Sequence, residues 1–101
     1  MKLLLITSIQ EFENDIKQIL KKASVKSFSY KYVKGFKDNS ADALETNWFG
    51  SAVQENESVL FYAFVPIENV NIVFDLTEKF NEKQETISNI HIAVLNIEKS
   101  N

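Results

Sequence analysis

The sequence predicts an α+β protein: a ferredoxin-like βαββαβ sandwich, with one four-stranded antiparallel sheet and two helices on one of its faces. Three observations lead there. The apolar segments run strand, helix, strand, and then strand, helix, strand again, which is the split βαβ pattern. The first and third strands are the most apolar, and this order places those two at the centre of the sheet. The length of 101 residues, with 45% hydrophobic and 25% charged residues, is the size and balance of one globular domain spanning 1–101.

Taken in order, Leu3 to Thr7 is a short apolar run without helical spacing, a strand. Ser8-Ile9-Gln10-Glu11 follows, and a Ser with a Glu three residues on has the form of a capping box. Phe12, Ile16, Ile19, Leu20 and Ala23 then make one apolar helical face. Glu13 and Asp15 come early in that helix and Lys17 and Lys21 later, as the helix dipole favours. Ser27 to Phe36 alternates as a strand, with Phe28, Tyr30 and Tyr32 on one face and Ser29 and Lys31 on the other. Gly35 is where that strand can bend or bulge.

A long loop, 37–57, separates the second and third strands. Within it Ala41, Leu44, Trp48 and Ala52 have helical spacing and predict a short helix near 40–48, capped by Asn39 or Ser40. Ser58 to Val65 is the central strand, ended by Pro66. Asn69 to about Lys83 is the second helix, with Val70, Val73, Phe74, Thr77 and Phe80 on one face. Gln84 to Asn89 is a polar connection, Ile90 to Ile97 the last strand, and the remainder a tail. Repeats and low-complexity linkers are absent from the sequence.

Composition narrows the function. The 11 cationic residues are all lysines against 14 acids, a net charge of −3. Without arginine there is no planar fork for phosphate or guanine, and the negative balance argues further against nucleic acid. With no cysteine there are no disulfides, thiolate metal sites or cysteine nucleophile, and one histidine excludes a multi-histidine zinc site within one chain. The apolar run at the start is too short for a signal peptide or a membrane span, so a cytoplasmic location is expected.

The two faces of the sheet carry the next step. Leu60, Tyr62 and Phe64 point one way along the third strand, and Phe61, Ala63 and Val65 the other. The first strand offers Leu3 and Leu5 against Leu4 and Ile6. Two helices cover one face only, which leaves an apolar patch larger than a monomer ordinarily exposes. The expected cover is further copies of the chain; the alternative is the long loop folded back over the sheet.

Val33-Lys34-Gly35-Phe36, at the end of the second strand and before the long loop, resembles the Val-x-Gly-Phe-Gly stretch of the P-II nitrogen-regulator family. The βαββαβ order, the Met-Lys start and the closing Ile97-Glu98 are similar too, and the chain looks like a compact, divergent branch of that family. The resemblance implies a homotrimer with the open sheet faces turned inward. It also implies a non-enzymatic signalling protein that binds a small effector or ion in a cleft between subunits. The long loop would contact a target, for which related compact branches suggest a membrane transporter. Two departures bear on the ligand: Lys37 stands where the family has a second Gly, and Asn81-Glu82-Lys83-Gln84-Glu85-Thr86 has no Gly where the family has its phosphate loop. Tight ATP binding is therefore not expected.

The expected ligand-binding residues are Gly35, Phe36, Lys37, Asn47, Trp48, Phe49 and His91. Trp48 and Phe49 form either an anchor in the long loop or a pin holding that loop to its own domain. His91 begins the last strand beside acidic residues such as Glu85, and either ligates an ion with a neighbouring subunit's groups, senses pH, or is an edge-strand histidine with no role. Glu55 and Glu57 offer metal oxygens or are merely solvated. No catalytic residue, cofactor or metal ligand set is predicted. The alternatives are a small α+β-barrel enzyme such as a cofactor-free monooxygenase, and a divalent-metal-binding trimer of the cation-tolerance type. An acylphosphatase-like enzyme would need an arginine. An RNA-recognition domain would need aromatics on the first strand, and a regulatory domain of the ACT type usually has a Gly-rich turn where this chain has Thr7-Ser8-Ile9-Gln10.

Overall fold

The computed structural model describes residues 1–36 and 55–101. Strand β1 spans Lys2–Ile9 and leads through a 3-10 turn, Gln10–Phe12, into helix α1, Glu13–Lys22. Strand β2 is Ser29–Phe36 and β3 is Glu55–Val65; helix α2 is Ile67–Lys83 and β4 is His91–Asn96. The four strands form one antiparallel sheet in the order β2-β3-β1-β4, so the ferredoxin-like architecture and the central place of the first and third strands are as expected.

The alternation of each strand divides its side chains between two faces. Leu4 and Ile6 of β1 and Val59, Phe61, Ala63 and Val65 of β3 face the helices and are buried. Against them pack Ile16, Ile19, Leu20 and Ala23 of α1 and Val70 and Val73 of α2. Phe12 meets Phe80 edge-on at 5.0 Å between ring centroids, tying the start of the first helical segment to the end of α2.

Helix α1 ends in a Schellman-type turn. Val25 N–H bonds Leu20 O at 2.9 Å and Ser24 N–H bonds Lys21 O at 3.0 Å, with Ser24 in the left-handed region at φ 61°. Asn69 Nδ2, in the first turn of α2, donates to Ala23 O at 2.8 Å and so satisfies a terminal carbonyl of α1.

Several boundaries differ from the sequence expectation. The Ser8–Glu11 capping box does not form: β1 continues through Ser8, which pairs with Val59, and the Ser8 hydroxyl bonds Ile9 O at 2.8 Å. Strand β3 begins at Glu55, so the connection after β2 ends at 54 and not at 57. Gly35 introduces no bulge, because the register runs unbroken from Lys34↔Glu57 through Gly35↔Asn56 to Phe36↔Glu55. Helix α2 starts at Ile67, directly after Pro66, whose extended backbone sets the helix entry. Strand β4 ends at Asn96, so Ile97 and Glu98 lie beyond it. Phe74, expected in the core, is 38% exposed and lines the groove between α2 and the start of β4. The short helix expected near 40–48 lies outside the described residues.

Candidate functional site

Two regions of the sheet bring together side chains that can bind or react, and they lie at opposite edges. The first is a groove of about 530 Å³ between α2 and the start of β4. Thr77, Glu78, Asn81 and Glu82 line it from the helix, and Asn89 and His91 from the strand side, over an apolar floor of Phe74, Ile90 and Ile92. Asn81 sets its geometry. Its Nδ2 donates to Ile90 O and its Oδ1 accepts from Ile90 N–H, both at 2.9 Å, which holds the chain just ahead of His91. His91 is partly buried, and that burial lowers its imidazole below the ordinary value of 6.5, favouring the neutral ring at pH 7. Beneath the groove the Thr77 hydroxyl is buried with no hydrogen-bond partner among the described residues. Glu78 and Glu82, carried by α2, line the same groove as His91, and Glu85 is not among the groove residues.

The connection from α2 to β4 is pinned by side chains in place of glycine. Gln84 Oε1 accepts from Thr86 N–H at 2.7 Å and lies 2.6 Å from Thr86 Oγ1, and Gln84 Nε2 donates to Asn89 Oδ1 at 2.9 Å. Ser88 N–H donates to Thr86 Oγ1 at 3.2 Å. Two backbone donors that could otherwise cradle an anion are thus already engaged.

The second region is the β2 edge. Gly35 is buried and Phe36 is exposed at the strand end. Below them Glu13 of α1 accepts from Tyr32 Oη and pairs with Lys17 at 2.7 Å. Lys17 Nζ also donates to Tyr30 Oη at 3.1 Å and lies 4.4 Å from the centre of that ring, which stacks on Phe61. The Lys17 hydrogen bond, then that of Tyr32, holds the Glu13 carboxyl below its ordinary value; Glu13 in turn raises Lys17 and the Tyr32 phenol. This cluster was not expected from the sequence, although the i,i+4 spacing of Glu13 and Lys17 is its signal. Glu57 is held as well, accepting from Gln10 Nε2 at 3.3 Å and lying 3.8 Å from Lys34.

Of the expected ligand-binding residues, Gly35, Phe36 and His91 are described, and Lys37, Asn47, Trp48 and Phe49 lie outside the described residues. The structure does not bring the described ones together. Lys31, Leu60, Thr7 and His91 stand in one row across the sheet. Phe36 is therefore three strands across and five residues along from His91, about 20 Å at ordinary strand spacing. From that row the helix-free face extends away from Phe36, apolar and open: Tyr62 is 41%, Phe64 58% and Leu95 42% exposed, beside half-buried Leu3, Leu5 and Leu60. Among the described residues no group of three or more His, Asp or Glu side chains is placed to hold a metal ion, and no helix is long and apolar enough to cross a membrane.

No family model and no curated protein matches the sequence. Solved structures do match the fold. One is CPII, a nitrogen regulatory PII-like protein from Thiomonas intermedia K12 bound to ADP, AMP and bicarbonate. It is 15% identical with a TM-score of 0.63, over 98% of this chain and 93% of that one. Another is a DUF3240 family protein from Shewanella baltica OS155, 14% identical with a TM-score of 0.66, over 99% of this chain and 92% of that one. The chain has the fold of PII-like proteins over its whole length, and the resemblance read from the element order and Val33–Phe36 is borne out at that level.

Proposed function

We propose that the chain is a non-enzymatic regulatory protein of the P-II type. It assembles as a homotrimer, binds a small effector in the cleft between subunits, and signals to a partner protein through the segment between β2 and β3. The observation that carries this reading is the helix-free sheet face, with Tyr62, Phe64 and Leu95 exposed beside Leu3, Leu5 and Leu60. Exposure of that much contiguous apolar surface is unfavourable by about 25 cal/mol per Å², and copies packed face-inward remove it. The spacing of the candidate residues supports the same reading. Phe36 and His91 are on opposite edges of one chain, so a single copy does not bring them together.

Effector binding there would bias the β2–β3 segment, which carries Lys37, Asn47, Trp48 and Phe49, between states that do or do not engage the partner. A membrane transporter is the partner class we propose, and the cytoplasm the location. The ligands of the Thiomonas protein make adenosine mono- and diphosphate and bicarbonate the first effectors to test.

Light scattering tests the assembly, and thermal shift with AMP, ADP, bicarbonate and divalent metals tests the effector. A trimer mass at micromolar concentration, with a midpoint raised by one of these ligands, is expected. A monomer would overturn the assembly. A dimer with no ligand response would favour the barrel-enzyme alternative.

A further inference from the structure

The C-terminal half of α2 carries three unfavourable features, and all of them open into one groove. Phe74, Thr77, Glu78, Asn81 and Glu82 form a single helical stripe along the groove of about 530 Å³ beside the start of β4. Phe74 is 38% exposed there. Glu78 and Glu82 are like charges one turn apart, which destabilises a helix, and Glu82 stands in the last turn, where the helix dipole disfavours an anion. Neither carboxylate forms an ion pair among the described residues, and Lys79 and Lys83 are not among the groove residues. Thr77 is 5% exposed, and its hydroxyl has no hydrogen-bond partner among the described residues, a state that buried polar groups rarely keep. It is sheltered from bulk water, so a partner has to come from the groove that Thr77 lines.

We infer that this groove binds a small organic amine, a protonated ammonium carried on a short apolar chain. The chemistry follows from what the groove has left to offer. The Asn81 amide is spent in both directions on Ile90. The groups that α2 leaves unspent, two carboxylates and the Thr77 hydroxyl, all accept hydrogen bonds, so the ligand has to bring donors and positive charge. An ammonium brings both. Seated between Glu78 and Glu82 it relieves their repulsion, and it suits the negative end of the α2 dipole. Phe74 lies one turn before Glu78, about 6 Å along the helix axis. The ligand's chain lies over that distance, covering Phe74 above the apolar floor of Ile90 and Ile92. A bare metal ion leaves Phe74 uncovered, and no group of three or more His, Asp or Glu side chains is placed to hold one among the described residues. The groove's volume, about 530 Å³, is of the size that small ligands fill. The site is built within one chain, on the side of the sheet that carries the helices, since Ile92 pairs with buried Ile6. It therefore stands apart from the cleft between subunits and does not depend on assembly.

The test is an NMR titration of the full chain with hexylammonium, a charged head on a chain about as long as the span from Glu78 to Phe74. Hexanoate, the same chain with opposite charge, and magnesium, a cation without a chain, are the controls. Hexylammonium shifts the amides of Thr77, Glu78, Glu82 and Ile92 along one saturating curve, and each control binds about tenfold more weakly or less, the loss of one charge-assisted contact. Glu78→Gln with Glu82→Gln weakens hexylammonium by about tenfold or more on the same ground. Thr77→Val keeps the side chain's shape, removes the hydroxyl, and weakens binding by about threefold or more, the scale of one neutral hydrogen bond. The dispersion of the amide spectrum confirms that each variant is folded. Absence of a saturating shift at millimolar hexylammonium overturns the inference. Hexanoate binding as well as hexylammonium does so too, because the groove is then merely apolar, and magnesium binding as well makes it a site for charge alone. Hexylammonium binding unchanged by the paired Gln substitutions places the amine elsewhere and overturns this site. A monomer mass in light scattering overturns the trimer and leaves this site intact.

Discussion

Asn81 pairs with Ile90 as a neighbouring strand would, donating from Nδ2 to its carbonyl and accepting its N–H at Oδ1, each at 2.9 Å. Ile90 is 3% exposed and stands just ahead of an edge strand, so its polar groups have water on neither side. A side chain from α2 thus does what a fifth strand would otherwise do, and it fixes where β4 and His91 begin.

Asn81→Ala removes both bonds and leaves two buried backbone groups without partners. We expect a loss of about 1–3 kcal/mol, the desolvation cost of such groups, read as a lower urea midpoint at unchanged slope. Unchanged stability would show that water reaches Ile90.

Ser24 occupies the left-handed position of the turn that ends α1, where glycine is free of steric cost. Ser24→Gly relieves that strain and gives back part of it as unfolded-chain entropy. The expected net gain is roughly 0.5 kcal/mol, measured by denaturant unfolding.

His91 makes stability depend on pH. Burial lowers its folded value below the ordinary 6.5, so the unfolded chain binds the proton more readily. Its contribution is full above the unfolded value and is lost as pH falls through that value toward the folded one. Glu13, also lowered, acts in the same direction in a separate window, below its ordinary 4.5. Urea midpoints measured from pH 8 to 3 should fall in two steps, and His91→Asn should remove the upper one alone.

Tight ATP binding is not expected. Residues 81–86 hold no glycine, the Thr86 and Ser88 amides are bonded to side chains, and Glu78 and Glu82 line the neighbouring groove. Calorimetric titration, with and without magnesium, should show no micromolar affinity for ATP. A micromolar constant would mean that the connection rearranges or that a neighbouring copy supplies the cradle.

Trp48 is the only tryptophan and lies between β2 and β3, outside the described residues. Trp48→Ala should leave unfolding stability nearly unchanged while weakening effector or partner binding. A loss of roughly 3–5 kcal/mol with binding intact per folded molecule would instead place Trp48 in a core.

The sequence by itself determined the elements, their order and the two faces of each strand. Leu4, Ile6, Phe61 and Val65 on one side, and Leu3, Tyr62 and Phe64 on the other, follow from a period of two that any register must respect. It also determined that one apolar face outnumbers the helices able to cover it. Element ends were less legible, because they depend on partners far along the chain. Ser8 had a capping spacing, but pairing with Val59 drew it into β1, and Glu55 joined β3 because Phe36 lay opposite. The candidate site was legible only as separate pieces. Gly35, Phe36 and His91 were marked by residue type. That they lie at opposite edges, that Glu78 and Glu82 line one groove with His91, and that Asn81 holds Ile90 were decided by the order β2-β3-β1-β4 and by the seating of α2 beside the start of β4. Periodicity reports which face a residue is on; distance across a sheet and contact between a helix and an edge strand exist only once the chain is folded.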